Sequence, residues 1–164
     1  MKLYFLALAF AGFLFTSCQK EALLTEDHLS SSSANRNNEQ NDVPFKGNYV
    51  TVHTLLQGPS VQRVNGTGEA THLGENSFVA NANINFSTAP PFAMSGTATF
   101  TAANGDQFYT RFTGSITPPN GVINHVITGG TGRFDDATGA FTAFSSPTSI
   151  PLTNNVIMEG TINY

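Results

Sequence analysis

From Phe45 to the C-terminus the chain alternates with period two, and this constrains the fold more than any other feature. Residues 78–86 read FVANANINF. Phe78, Ala80, Ala82, Ile84 and Phe86 alternate with Val79, Asn81, Asn83 and Asn85. Successive side chains of a strand point to opposite faces, so the pattern is that of a half-buried strand. The next run sets Phe92, Met94, Gly96, Ala98, Phe100 and Ala102 against Ala93, Ser95, Thr97, Thr99 and Thr101. Phe108, Phe112, Gly114 and Ile116 then alternate with Tyr109, Arg111, Thr113 and Ser115, and Val156, Met158, Gly160, Ile162 and Tyr164 with Ile157, Glu159, Thr161 and Asn163.

Turn residues separate these runs. Pro90-Pro91 and Pro118-Pro119-Asn120-Gly121 stop pairing, because proline cannot donate to a ladder. Asn104-Gly105-Asp106 reads as a hairpin turn, since Asn and Gly tolerate positive φ. The spacing predicts eight strands, near 47–56, 61–72, 77–87, 92–103, 106–117, 121–129, 139–146 and 154–164. All connections but one are short, so neighbours pair antiparallel, and no helical periodicity competes. The expected fold is all-β: a single eight-stranded antiparallel up-and-down barrel, which leaves no sheet edge exposed. A sandwich is the alternative. Small residues in mid-strand (Ala80, Ala82, Gly96, Ala98, Gly114, Gly160) between large ones at the ends suit a barrel narrowed at its waist.

The first 44 residues belong to a different regime. Lys2 precedes thirteen uncharged residues, Leu3 to Phe15. A spanning helix needs about 20, so the stretch fits the apolar region of a secretory signal peptide. Thr16-Ser17-Cys18 resembles the lipobox of bacterial lipoproteins, with Phe15 standing where Leu is usual, and Cys18 is the only cysteine of the chain. The resemblance implies a signal peptide over 1–17 and acylation of Cys18, hence a membrane partner reached through a lipid anchor. Gln19-Lys20-Glu21 resembles the signal that sends some lipoproteins of Gram-negative bacteria to the cell surface. That implies the outer membrane, facing outward, with the periplasmic leaflet as the alternative. An ordinary signal peptide with an incidental cysteine is the other reading. Residues 18–44, with four consecutive serines at 30–33 and an Asn/Gln/Glu-rich run, read as a disordered tether reaching on the order of 30 Å. The barrel is expected over 45–164.

The glycine-rich stretch 129–141, GGTGRFDDATGAF, resembles several binding loops at first sight. A P-loop needs Gly-Lys-Ser/Thr, and no lysine is present. A dinucleotide fingerprint must lead into a helix. An EF-hand needs acids at alternate positions, whereas Asp135 and Asp136 are adjacent. The remaining reading is a structural corner: Gly129, Gly130, Gly132 and Gly139 permit a sharp reversal, and Phe134 plugs one end of the core.

These residues also resemble a family. Gly129, Gly130, Thr131, Gly132, Phe134, Ala137 and Gly139 match the signature of the allene oxide cyclase and dirigent-like barrels. Gly66-Thr-Gly-Glu-Ala-Thr-His-Leu-Gly74 and Ala103-Asn-Gly-Asp106 are similar to bacterial members, so that the resemblance spans roughly residues 60 to 164. It implies eight antiparallel strands around a cavity. Plant members guide cyclisation or radical coupling of bound small molecules; none of their catalytic residues can be placed on this chain.

Chemistry is sparse elsewhere. Seven Lys and Arg against eleven Asp and Glu give a net charge of −4 with no basic run, which excludes nucleic acid as a partner. His28, His53, His72 and His125 form no metal-ligand spacing, so neither metal nor cofactor is expected and the histidines read as surface or hydrogen-bonded structural groups. Asp135 and Asp136 read as solvated turn acids. Tyr109, Arg111 and Glu159 fall on the polar, outward parity. No catalytic motif is recognised. The lumen is the expected ligand site, for a small apolar molecule, with Phe78, Phe86, Ala98, Phe100, Phe108 and Phe112 as apolar wall and Thr110 and Asn124 as polar groups. Three functions remain open on sequence alone: a binding barrel, an enzyme of the cyclase or isomerase kind, and a structural or adhesive surface module with a filled core. The sequence leaves the oligomeric state open.

Overall fold

Each period-two run becomes one strand. In the computed structural model, which describes residues 42–164, the strands are β1 (Val43–Gln57), β2 (Val61–Ala70), β3 (Gly74–Ile84), β4 (Phe92–Thr101), β5 (Gln107–Thr117), β6 (Asn120–Gly130), β7 (Thr138–Pro147) and β8 (Thr153–Asn163). They close in sequence order, β8 pairing back on β1, and every pairing is antiparallel. The barrel is therefore the observed fold, and the sandwich is not. Cys18 and the signal peptide lie outside the described residues, as does nearly all of the tether. Its last two residues do not behave as tether: Val43 pairs with Ile162 and Pro44 with Thr161. Closure requires it, because β8 would otherwise end on an unpaired edge.

One face of each strand fills the lumen. Register makes the inward set coherent: Phe78 lies opposite Phe100, which lies opposite Phe108. Glycine makes room for these rings. Gly66 faces Phe78 across the β2–β3 ladder, and a Cβ on Gly66 would run into the Phe78 ring.

The glycine-rich corner joins β6 to β7 through a single 3-10 turn, Gly132–Phe134. Gly129, Gly132 and Gly139 have φ of 115°, 57° and 129°, values that side chains rarely tolerate. A Cβ on Gly132 would also meet the Asp106 carboxylate. The backbone amide of Thr131 donates to Gln107 O at 2.7 Å, and the Gln107 amide donates to Thr131 Oγ1 at 3.0 Å, which ties the corner to β5. Phe134 is fully buried and packs edge-on against Phe108 at 5.7 Å and Tyr164 at 5.0 Å. Arg133 covers the outside, 4.6 Å above the Phe134 ring and 4.0 Å from Asp106, with its guanidinium donating to His72 O.

Candidate functional site

The two ends of the barrel are built differently. The corner, the 71–73 turn, the Asn104–Asp106 turn and the start of β1 share one end, and aromatic rings fill it. Phe100 stacks on Phe108 at 4.6 Å and 10°. Phe45 meets Phe141 at 4.7 Å, and Phe78 meets Phe100 at 4.9 Å. Phe45, Phe100, Phe108 and Phe134 are wholly buried. Tyr49 joins them by donating its hydroxyl to Asn76 Oδ1 at 2.8 Å; burial pushes its phenol well above the ordinary range, against the opposing effect of that bond, and keeps the donor protonated.

The other end is open. There the β3–β4 and β5–β6 connections carry the two Pro-Pro pairs, and β7–β8 is joined through 148–152. An outer chamber of about 340 Å³ opens here, walled by Val64, Ala82, Ile84, Phe86, Phe92, Met94, Ile116, Pro118, Pro119, Ile123 and Leu152, with His53, Gln62, Ser145 and Asn154 as its polar groups. A deeper hollow of about 70 Å³ shares His53, Val64, Ala82, Met94, Ile123 and Ser145 with it and reaches Thr51, Phe78, Phe112 and His125. The outer chamber is at the small end of the range for ligand pockets, about 300 to 1,000 Å³. Neither chamber is lined by Asp, Glu, Lys or Arg. A wider groove of about 590 Å³ runs outside the barrel along Asn83, Asn85, Ser87 and Ser95, but it lacks the enclosing apolar wall.

His125 is the floor. It stacks on Phe141 at 4.6 Å and 10° and lies 5.0 Å from Phe112, with Nδ1 3.0 Å from Thr110 Oγ1. Burial lowers its pKa to about 3, so the imidazole is neutral at physiological pH. At the rim, Leu152 has φ of 57° and is 52% exposed. That conformation costs a branched residue on the order of 1–3 kcal/mol, and it is held by the His53 amide donating to Leu152 O at 2.8 Å.

The residues expected in the lumen separate along its axis. Phe78 and Phe112 line the inner hollow and Phe86 the outer chamber. Phe86 is 39% exposed and meets Phe92 at 4.8 Å, so it is a rim residue. Ala98, Phe100, Phe108 and Thr110 are buried in the packed interior and do not line either chamber; Thr110 acts through His125. Asn124 is a correction. It pairs with Thr113 and Thr142, faces solvent and accepts from Thr142 Oγ1 at 3.0 Å. β6 carries apolar residues on both faces (Val122 and Val126 outward, Ile123 and Ile127 inward), so hydropathy leaves its parity open. Pairing of His125 with Phe112 decides it. Arg111 and Glu159 are exposed on the outward face, and Asp135 and Asp136 are exposed at the corner.

Of the polar groups of the mouth, Gln62, Ser145 and Asn154 escaped the sequence reading, and His53 was read there only as a surface or hydrogen-bonded structural group. A signal for His53 exists: Phe45, Gly47, Tyr49, Thr51 and His53 share one parity of β1, and Tyr49 and Thr51 are buried. Hydropathy alone leaves the parity of β1 open, because Val50 and Val52 lie on the opposite one, yet both are about half exposed.

Comparison with protein-family models, with curated proteins and with solved structures returned no match.

Proposed function

We propose that this chain is a small-molecule-binding barrel of the allene oxide cyclase and dirigent-like kind, carried on a lipid anchor at the outer face of a bacterial outer membrane. The observation that supports binding is the asymmetry of the lumen: one end is packed with rings, while the other holds an apolar chamber of about 340 Å³ open at the rim. A barrel serving only as a surface scaffold would be filled at both ends, since interiors pack densely. An eight-stranded barrel has room inside for side chains or for one small ligand, and here the two uses divide its length.

Among the described residues, the chain enters β1 at the packed end, and the chamber opens at the other. The outer chamber is walled mainly by apolar side chains, with His53, Gln62, Ser145 and Asn154 as its polar groups, a lining suited to holding a small apolar guest.

The test is native mass spectrometry of the chain from Gln19 onward with a panel of medium-chain lipids, terpenoids and phenolics. One guest per chain, lost in Ala82→Phe, which fills the wall shared by both chambers, is the expected result. No guest from any class would leave a surface module acting through its outer face. Incorporation of labelled fatty acid, abolished in Cys18→Ala, checks the anchor separately.

A further inference from the structure

The polar groups of the mouth have a fixed sense of hydrogen bonding. Gln62 Nε2 donates to Pro59 O at 2.8 Å, which turns its Oε1 toward His53 Nδ1 at 2.9 Å. An amide oxygen only accepts, so Nδ1 carries the ring proton and the neutral imidazole presents Nε2 as an acceptor. The neighbour of Nε2 is Thr51 Oγ1, at 3.4 Å, which is long for such a bond. That hydroxyl has one proton, and Asn154 O lies 3.3 Å away as a competing acceptor. The Nε2 lone pair is thus weakly used, and it faces the residue that leads from the outer chamber to the inner hollow, for His53 lines both and Thr51 lines the inner one.

Charge excludes a second class of guest. With no Lys or Arg on either wall, a carboxylate or phosphate entering the chamber would lose its water without gaining a cation, at a large cost. An ammonium group would likewise find no acid.

Resting on the binding reading above, we infer that the guest is an uncharged, largely apolar molecule bearing one hydroxyl, and that His53 Nε2 accepts its proton donor at the junction of the two chambers. The apolar body lies against Val64, Ala82, Met94 and Ile123. Gln62 is a positioning residue: its Oε1 accepts from His53 Nδ1 and so sets the tautomer.

Calorimetric titration of the full chain decides this. The probes are octan-1-ol, methyl octyl ether and octanoate, with menthol and its methyl ether as a cyclic pair. The alcohols are expected to bind about threefold to tenfold more tightly than their ethers, the gain of one hydrogen bond, and octanoate more weakly than either. In His53→Leu the preference for alcohol over ether should disappear. In Gln62→Met, which frees the tautomer, that preference should shrink. Alcohols and ethers binding equally to the unaltered chain would overturn the hydroxyl assignment and leave the pocket standing. Preference for octanoate would overturn the charge argument. Absence of binding by every probe would remove the binding reading and this inference with it. Because the unaltered chain supplies the deciding series, a misfolded variant does not obscure the outcome.

Discussion

The packed end and the mouth of this barrel are made from the same kinds of residue, yet they do opposite work. Both hold phenylalanine pairs at similar spacing: Phe100 and Phe108 at 4.6 Å, Phe86 and Phe92 at 4.8 Å. The first pair is wholly buried, whereas Phe86 is 39% exposed. The difference comes from what caps each end. The corner 131–137 folds Phe134 inward over the rings, while at the mouth Pro118 and Pro119 form part of the chamber wall. Rings stabilise where they are covered; where they are not, they form a wall.

Several measurements can break or sharpen this contrast. Phe100→Ala should destabilise the fold by about 3–5 kcal/mol in chemical denaturation, the cost of removing a buried ring, and Phe86→Ala by clearly less. Equal losses would dissolve the distinction between the ends. Next comes acid. Unfolded, the His125 imidazole takes a proton near pH 6.5; folded, it resists until about pH 3. Between these values the unfolded chain holds more protons, so stability falls as pH falls, by about 1.4 kcal/mol per unit. At pH 5 the loss should be about 2 kcal/mol, and in His125→Gln this contribution should vanish. An unchanged pH profile in that variant would mean that the floor of the hollow is wet.

Gly132→Val should cost at least about 1 kcal/mol, because the residue would be strained at φ 57° and would strike Asp106. A melting temperature like that of the unaltered chain would show that the corner does not hold the packed end shut. The smallest effect on stability belongs to the mouth. Leu152→Gly relieves a left-handed backbone and removes an exposed side chain, so stability should stay within about 1 kcal/mol while guest affinity drops several-fold. A large loss of stability instead would make the rim part of the folding core.

The strand count, the antiparallel order and the corner were legible because they depend on local rules: side chains alternate, proline cannot pair, and glycine adopts positive φ values such as those at 129, 132 and 139 at least cost. Phe134 as a plug was legible too, as the one large apolar residue inside a polar turn. The candidate site was less so. Phe78 and Phe112 reach the hollow, but Asn124 faces out, Gln62, Ser145 and Asn154 were not seen, and His53 was read only as a surface or structural group. Where both faces of a strand carry apolar residues, as on β1 and β6, hydropathy gives no parity, and the pairing partner must supply it.

The sequence by itself thus determined antiparallel strands and where the chain reverses, since each of those follows from the conformational limits of a few neighbouring residues; closure rather than a sandwich was decided by the pairing of β8 with β1. Only the tertiary structure decided which end is plugged and which is open, and that His53 meets Gln62 at the junction of two hollows. Both depend on strand register: Thr54 pairs with Arg63 across the β1–β2 hairpin, and Thr51 pairs with Asn154 from the far end of the chain. No local preference fixes such a match, because the energy that selects it comes from burying all the rings at once.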